Sequence, residues 1–276
     1  MKALDTLRTL AEKLQCCGIL DSEFEAEQIL VSLLKISSTA LRTQNPEVSD
    51  ETAEELQDMI KRRQEGYPLQ YILGEWEFFG LPFKVGEGVL IPRADTEVLV
   101  ETALKYVDGR EALKIIDLCS GSGCIAIALE KNAKNCAVAA LEKEPEAYRY
   151  LTANIELNQS RVIPLQDDVM IPFGNNYDLI VSNPPYITPE AMEGLQREVT
   201  FEPDSALRGG EDGLYFYREI VKGWVPLLKS GGMLAVEIGF DQRKAVMEIF
   251  KKGGLSNIQC TKDYGGNDRV VSGTKP

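Results

Sequence analysis

The stretch Ile115-Ile116-Asp117-Leu118-Cys119-Ser120-Gly121-Ser122-Gly123-Cys124-Ile125-Ala126 decides the fold. Its apolar beginning predicts a buried strand over residues 113–118, and its end opens a helix over 124–132. Between them lies a tight turn. Gly121 and Gly123 let the backbone there come close to a ligand, where any Cβ would collide with it. Such a turn can also serve packing alone, so the residues that follow matter. A second strand over 136–142 ends on Glu142, 21 residues after Gly121. An acidic residue at that place can accept hydrogen bonds from both hydroxyls of a ribose, each worth roughly 1.5–3 kcal/mol when charge-assisted. The plainer reading of Glu142 is a solvated strand end in the acidic run Glu142, Glu144, Glu146.

Outward from this turn the chain alternates strand and helix. A helix over 145–158 is followed by short strands near 162–166 and 177–182, and a helix over 96–107 precedes the first strand. This pattern predicts an α/β domain whose parallel sheet is covered on both faces. The last stretch differs: a strand over 232–238, a helix over 242–251, then strands over 258–262 and 268–272. The turn 263–267 is too short for a crossover, so that final pair must be antiparallel. Upstream, EWEFFGLPFKVGEGVLIP (75–92) reads as a β-hairpin linker. Residues 1–74 read as a small helical domain, which leaves 93–276 for the α/β domain. Within residues 1–74, Phe24, Ala26, Ile29, Leu30, Leu33 and Leu34 form a helical stripe over 22–37. A second helix over 48–63 opens on Ser49 or Asp50 as its cap and ends in Lys61-Arg62-Arg63, read as a solvated helix end.

Composition narrows the chemistry. The chain has 276 residues, a net charge of −13, six cysteines and no histidine. Histidine-dependent mechanisms are thereby excluded. Adjacent Cys16 and Cys17, with no CxxC pair anywhere, suit neither a disulfide framework nor structural zinc, so reduced and mostly buried thiols are expected. A protein that grips a phosphate backbone normally carries a basic face, and the acidic total leans against DNA or RNA as substrate. No apolar run approaches the roughly 18 residues needed to span a bilayer. Charge every few residues from Met1 argues against a signal peptide, and a cytoplasmic location is expected.

The glycine turn suits two cofactors. The spacing Gly121-x-Gly123-x-x-Ala126 also fits a dinucleotide fingerprint, so a nicotinamide-dependent dehydrogenase competes with an S-adenosyl-L-methionine enzyme. The choice falls to Asn183-Pro184-Pro185-Tyr186, at the C-terminal end of the strand over 177–182, where open α/β sheets bind ligands. Two prolines stiffen the backbone and remove two N–H donors. What remains is a set of acceptors, with Tyr186 as a flat face. Two acceptors can hold both hydrogens of a planar NH₂ group and aim its nitrogen at an electrophilic methyl. Such positioning can recover roughly 7–11 kcal/mol of barrier, and a dehydrogenase has no use for it. The nitrogen could belong to a protein amide or to a nucleic-acid base, and a module that keeps the fold without chemistry is the third alternative.

The chain resembles the release-factor glutamine methyltransferases, the HemK/PrmC family, from about Arg62 to its end. The blocks are PLQYILG (68–74), VLIPRADTE (89–97), DLCSGSGCIAIAL (117–129), SNPPYI (182–187), FEPDSALRGGEDGL (201–214), LAVEIGFDQ (234–242) and DYGGNDRVV (263–271). The first two are the most specific to that family. The resemblance implies a class I methyltransferase with a Rossmann-like seven-stranded sheet and a small N-terminal helical domain. It implies S-adenosyl-L-methionine as cofactor, bound by Asp117 and by a cradle of Cys119, Ser120, Gly121, Ser122 and Gly123 for its methionine part. Glu142 would hold the ribose, and Asp168 and Val169 would flank the adenine. Asn183, Pro184, Pro185 and Tyr186 would grip the substrate amide, with the Asn183 side chain and the Pro184 carbonyl as acceptors. The implied substrate is the glutamine of the Gly-Gly-Gln loop in peptide chain release factors, met by a monomer with help from the N-terminal domain. This sequence departs from the family pattern in having Cys119 for a glycine, Glu142 for an aspartate, Val169 for an aromatic and Ala94-Asp95 for Pro-Glu.

Overall fold

The computed structural model describes residues 1–276 and lays seven strands into one sheet. They are β1 (Lys114–Leu118), β2 (Ala137–Glu142), β3 (Ile163–Gln166), β4 (Tyr177–Ser182), β5 (Leu228–Glu237), β6 (Ser256–Lys262) and β7 (Asp268–Thr274). Their spatial order is β3-β2-β1-β4-β5-β7-β6. The first five run parallel, while β7 is antiparallel to β6, as the short turn before it requires, and also to β5. From β1 the chain steps outward to β2 and β3, then returns to lay β4 on the other side of β1. The order therefore reverses between β1 and β4, and a ligand crevice opens beyond their carboxyl ends.

Both faces of the sheet are buried, which is why β1 reads as a nearly unbroken apolar run. One layer packs Leu99 and Ala103 of helix Glu97–Val107, Ile127 of helix Cys124–Asn132 and Leu151 of helix Pro145–Leu157 against Ile115, Leu179 and Val181. The other sets Tyr217, Ile220 and Trp224 of helix Tyr215–Trp224, with Phe250 of helix Arg243–Lys252, against Ile116, Ile180 and Leu234. The sequence reading passes over helix Tyr215–Trp224, although Tyr217, Ile220, Val221 and Trp224 follow helical spacing and all are buried. It also starts β5 four residues late. The pairing of Tyr177 with Leu228 precedes a register shift before Leu179 meets Met233, and Gly231 and Gly232 hide that first pair from a periodicity reading. The hairpin Glu75–Phe78 and Leu81–Lys84 turns at Phe79-Gly80. Its backbone at Lys84 is held from both sides by the buried Asn154, which accepts from the Lys84 N–H (2.7 Å) and donates to its carbonyl (3.1 Å).

The chain divides into two units. This sheet unit comprises Glu75–Leu195 and Glu202–Pro276, and a helical unit comprises Met1–Gly74 and Gln196–Phe201. In the helical unit, helices Ala3–Cys16, Ser22–Leu34, Ser38–Gln44 and Asp50–Gln64 enclose a core that includes Ala3, Leu30, Leu41 and Val48. Ser49 caps the fourth of these by accepting from the Thr52 N–H at 3.1 Å. Three expectations need correction here. Arg63 is not a solvated helix end: it is 4% exposed, with its guanidinium held bidentately by Glu25 and also by Glu198. A charge so deeply placed needs partners, and the acidic ones lie far off in sequence, where a local reading cannot find them. Phe24 is exposed and stands off the buried stripe. All six cysteines are free, but only Cys124 is buried, and Cys16 and Cys17 are exposed because they end the first helix on its solvent side. No helix is long and apolar enough to cross a membrane.

Candidate active site

The turn between β1 and helix Cys124–Asn132 is fastened from below. Asp117, fully buried at the end of β1, accepts from the Ser120 hydroxyl (2.7 Å) and the Ala126 N–H (3.2 Å) through Oδ2, while its Oδ1 has no partner. Burial, with a smaller push from Glu142, raises the Asp117 carboxyl to about 7 against the pull of those two donors. The backbone turns left-handed at Cys119 (φ 56°), Gly121 (φ 55°) and Gly123 (φ 82°). The first is costly for any residue with a Cβ, which accounts for the glycine that the family pattern has there. Gly121 faces open space, as a close approach of ligand requires. Gly123 has a further reason: its φ of 82° strains any side chain, and a Cβ would lie 2.4 Å from Leu151 Cδ1 in the helix packed beside it.

A cavity of about 520 Å³ opens over this turn, a size that suits a nucleoside-bearing ligand. Of the sequence-predicted residues, Cys119, Ser120, Gly121, Ser122, Glu142, Asp168, Val169, Asn183 and Pro185 line it, whereas Asp117, Gly123, Pro184 and Tyr186 are not among its lining residues. Glu142 is buried, not a solvated strand end. Its two oxygens accept from the Gly121 N–H (2.7 Å) and the Glu144 N–H (2.8 Å), and burial raises its pKa against those bonds. Asp168 accepts from the Met170 N–H (2.9 Å) and pairs with Lys143 (3.0 Å). Those contacts outweigh its partial burial and hold its pKa below the usual range. Trp224 Nε1 donates to the Val169 carbonyl at 2.8 Å, which fixes the loop that carries both residues.

The tetrapeptide Asn183-Pro184-Pro185-Tyr186 follows β4 directly. Asn183 Nδ2 donates to the Thr96 hydroxyl at 3.3 Å, which leaves its Oδ1 as an acceptor. Tyr186 donates through its hydroxyl to Glu237 Oε1 at 3.3 Å, and its carbonyl accepts from Gln242 Nε2 at 3.0 Å. Gln242 is satisfied on all sides, donating also to the Gly213 carbonyl (3.2 Å) and accepting from the Gly239 N–H (3.0 Å) and the Tyr217 hydroxyl (3.2 Å). Arg269 is held by Asp263 (3.0 Å) and Asp95 (3.1 Å). Its charge, with the Thr96 and Tyr186 hydroxyls, opposes the burial that lifts Glu237 to about 7. Arg93 lines the cavity paired to Glu202, whose other oxygen accepts from the Ile91 N–H at 3.0 Å. Sequence reasoning missed Thr96, Glu202, Tyr215 and Phe216. All four stand at the site, yet nothing in local periodicity marks them, because each arrives from a segment distant in the chain.

The cavity's charge tests what it can hold. Its lining cations are all paired: Arg93 with Glu202, Lys143 with Asp168 and Arg208 with Asp204. Glu142, Glu144 and Asp167 remain as negative charge. A dinucleotide's pyrophosphate would find no free cation here, whereas a cationic sulfonium beside a ribose fits.

Residues 5–74 match the PrmC N-terminal domain and residues 94–211 the methyltransferase small domain. A release factor glutamine methyltransferase of Thermodesulfovibrio yellowstonii is 41% identical over 276 residues, covering 98% of this chain and 97% of the relative. One from Geobacter sulfurreducens is 40% identical, covering 99% and 95%. Among solved structures, a methyltransferase from Pyrococcus furiosus shares the fold at a TM-score of 0.55 and 20% identity, covering 83% of this chain and 99% of that one. The seven-stranded sheet is that of the class I S-adenosyl-L-methionine-dependent methyltransferases, and the chain belongs to the release factor glutamine methyltransferase family.

Proposed function

We propose that this enzyme transfers a methyl group from S-adenosyl-L-methionine to the side-chain amide nitrogen (N5) of the glutamine in the Gly-Gly-Gln motif of peptide chain release factors. The observation that carries the reading is the state of Asn183. Its NH₂ is engaged by Thr96, so the face it offers is an acceptor, and the Pro184 carbonyl follows it in a backbone without N–H donors. Two acceptors match the two hydrogens of a primary amide and set its nitrogen in line for displacement. The cofactor, when bound, supplies a methyl on a positively charged sulfur, an electrophile that needs no further activation. Ser120, Gly121 and Ser122, with Cys119, would cradle its methionine part. Glu142 would take the ribose hydroxyls with the lone pairs left by its two backbone bonds, and Asp168 and Val169 would bound the adenine. Asp117 and Gly123 hold the cradle's shape, and Pro185 and the half-buried Tyr186 stiffen the amide grip. No histidine is available as a base, and none is needed if the amide proton leaves as the methyl arrives.

The same reading makes residues 1–74 the part that recognises the large protein partner and 75–92 the hairpin that joins it to the catalytic part. It makes the enzyme a cytoplasmic monomer without a nucleic-acid ligand, which the net charge of −13 supports. Asn183→Ala tests it. Turnover on a purified release factor should fall by at least about 100-fold, with cofactor affinity measured calorimetrically unchanged. Turnover equal to the parent's would remove Asn183 from the reaction.

A further inference from the structure

An asparagine amide is nearly symmetric in shape. Steric fit alone cannot tell its oxygen from its NH₂, and a half-turn about its last bond would present a donor where the substrate's own NH₂ must bind. Something has to fix the sense of Asn183, and the fold supplies it at the point where two strands end together. Ser182 of β4 pairs with Val236 of β5, so Asn183 and Glu237 are the next residues at adjacent carboxyl ends. Thr96 comes to the same place from the 3₁₀ turn Ala94–Thr96, at the start of helix Glu97–Val107. It is 2% exposed; its hydroxyl receives Asn183 Nδ2 at 3.3 Å and stands against Glu237, whose charged form it stabilises.

We infer that Thr96 and Glu237 act together as a positioning pair that locks Asn183 with its oxygen toward the substrate amide; this rests on the reading of Asn183 given above. The direction of each bond follows from donor and acceptor capacity. In its charged form, which the Thr96 and Tyr186 hydroxyls and the charge of Arg269 favour against burial, Glu237 can only accept. The Thr96 hydroxyl has one hydrogen, and turning it to Glu237 leaves only lone pairs for its other neighbour. Asn183 must then answer with its NH₂, and Oδ1 is committed to the cavity. Glu237 has capacity for this: Tyr186 occupies Oε1, while Oε2 is buried and has no hydrogen-bond partner. The same carboxylate thereby steadies both ends of the tetrapeptide, Tyr186 directly and Asn183 through Thr96. Neither Thr96 nor Glu237 touches the reacting atoms in this scheme.

The test separates orientation from folding and from cofactor binding. Thr96→Val keeps the shape and removes the hydroxyl, Thr96→Ser keeps the hydroxyl, and Glu237→Gln replaces the pure acceptor with a group that can also donate. With purified release factor and adenosylmethionine, Thr96→Val should lower kcat by roughly 100-fold and Glu237→Gln by about 10-fold, since small misplacements of a reacting group cost on this order. The cofactor Kd should stay within about 3-fold of the parent's, and Thr96→Ser should recover most of the rate. The double variant should be no slower than Thr96→Val, because the two act in one chain of contacts. Full activity of Thr96→Val alongside an inactive Asn183→Ala would overturn the positioning pair alone. Full activity of Asn183→Ala would overturn the reading beneath it. Equal loss in Thr96→Ser and Thr96→Val would also overturn the inference, since it would make Thr96 a packing residue.

Discussion

Cys119 stands where the resemblance to the family leads one to expect a glycine, and the backbone says what a side chain there costs. At φ 56° the residue sits in the left-handed region, which a side chain occupies at about 1–3 kcal/mol. Cysteine is unbranched at Cβ and tolerates this better than a β-branched residue would. Burial pushes its thiol pKa well up, so it stays protonated and unreactive beside the cofactor site. Cys119→Gly should therefore leave the unfolding free energy within about 1 kcal/mol of the parent and preserve cofactor binding. Cys119→Val should lower stability by about 2 kcal/mol and weaken cofactor binding, both read from denaturant titration and calorimetry. The buried carboxyls make a second prediction at this scale. Asp117 and Glu237 are both raised to about 7, against about 4 in an unfolded chain. Between those values the folded state holds more protons than the unfolded, so their contribution to stability is full below pH 4 and is lost as pH rises to 7. Asp117→Asn should flatten that decline, and unfolding midpoints at pH 5 and pH 7 should lie closer together than in the parent.

Among the elements, the strands and the turn they feed were the legible part. Strand β1, the glycine turn and helix Cys124–Asn132 follow from local pattern, because burial on both faces and a glycine-dependent backbone leave direct marks on sequence. The antiparallel end of the sheet followed from the length of one turn. The segment between Tyr186 and helix Tyr215–Trp224 was opaque. It holds short helices such as Pro189–Met192 and Asp204–Leu207, whose length gives no periodicity to read. Its order comes instead from contacts with the residue that follows the tetrapeptide: the Ile187 N–H donates to the Leu207 carbonyl and the Gly209 N–H to the Ile187 carbonyl, both at 2.8 Å. Its charged side chains pair locally, Asp204 with Arg208 and Asp212 with Arg218, each at 2.8 Å. A Cβ at Gly209 would lie 2.5 Å from the Tyr186 Cα, and backbone cannot yield as a flexible side chain can. Gly209→Ala should thus displace the tetrapeptide and lower kcat about 10-fold or more, with cofactor affinity nearly unchanged. Steady-state kinetics with calorimetry would show the split.

At the scale of the whole molecule, sheet order brings distant segments to one end. The reversal between β1 and β4 opens the cavity, β2 delivers Glu142, β4 delivers Asn183 and β5 delivers Glu237. Sequence alone supplied the residues that sit at strand ends. It could not supply Thr96 or Glu202, whose partners lie 87 and 109 residues away. Charge on the same scale bears on the rival chemistries, since a cavity whose lining cations are all paired and which keeps carboxylates besides favours a sulfonium over a pyrophosphate. The central claim, methylation of a protein glutamine, is tested most directly by mass spectrometry of a purified release factor incubated with this enzyme and adenosylmethionine, with fragment ions mapping the site. The account predicts one added methyl, on the side-chain amide of the Gly-Gly-Gln glutamine. A release factor that stays unmodified while the enzyme demonstrably binds its cofactor, or a methyl on any other residue, would contradict it.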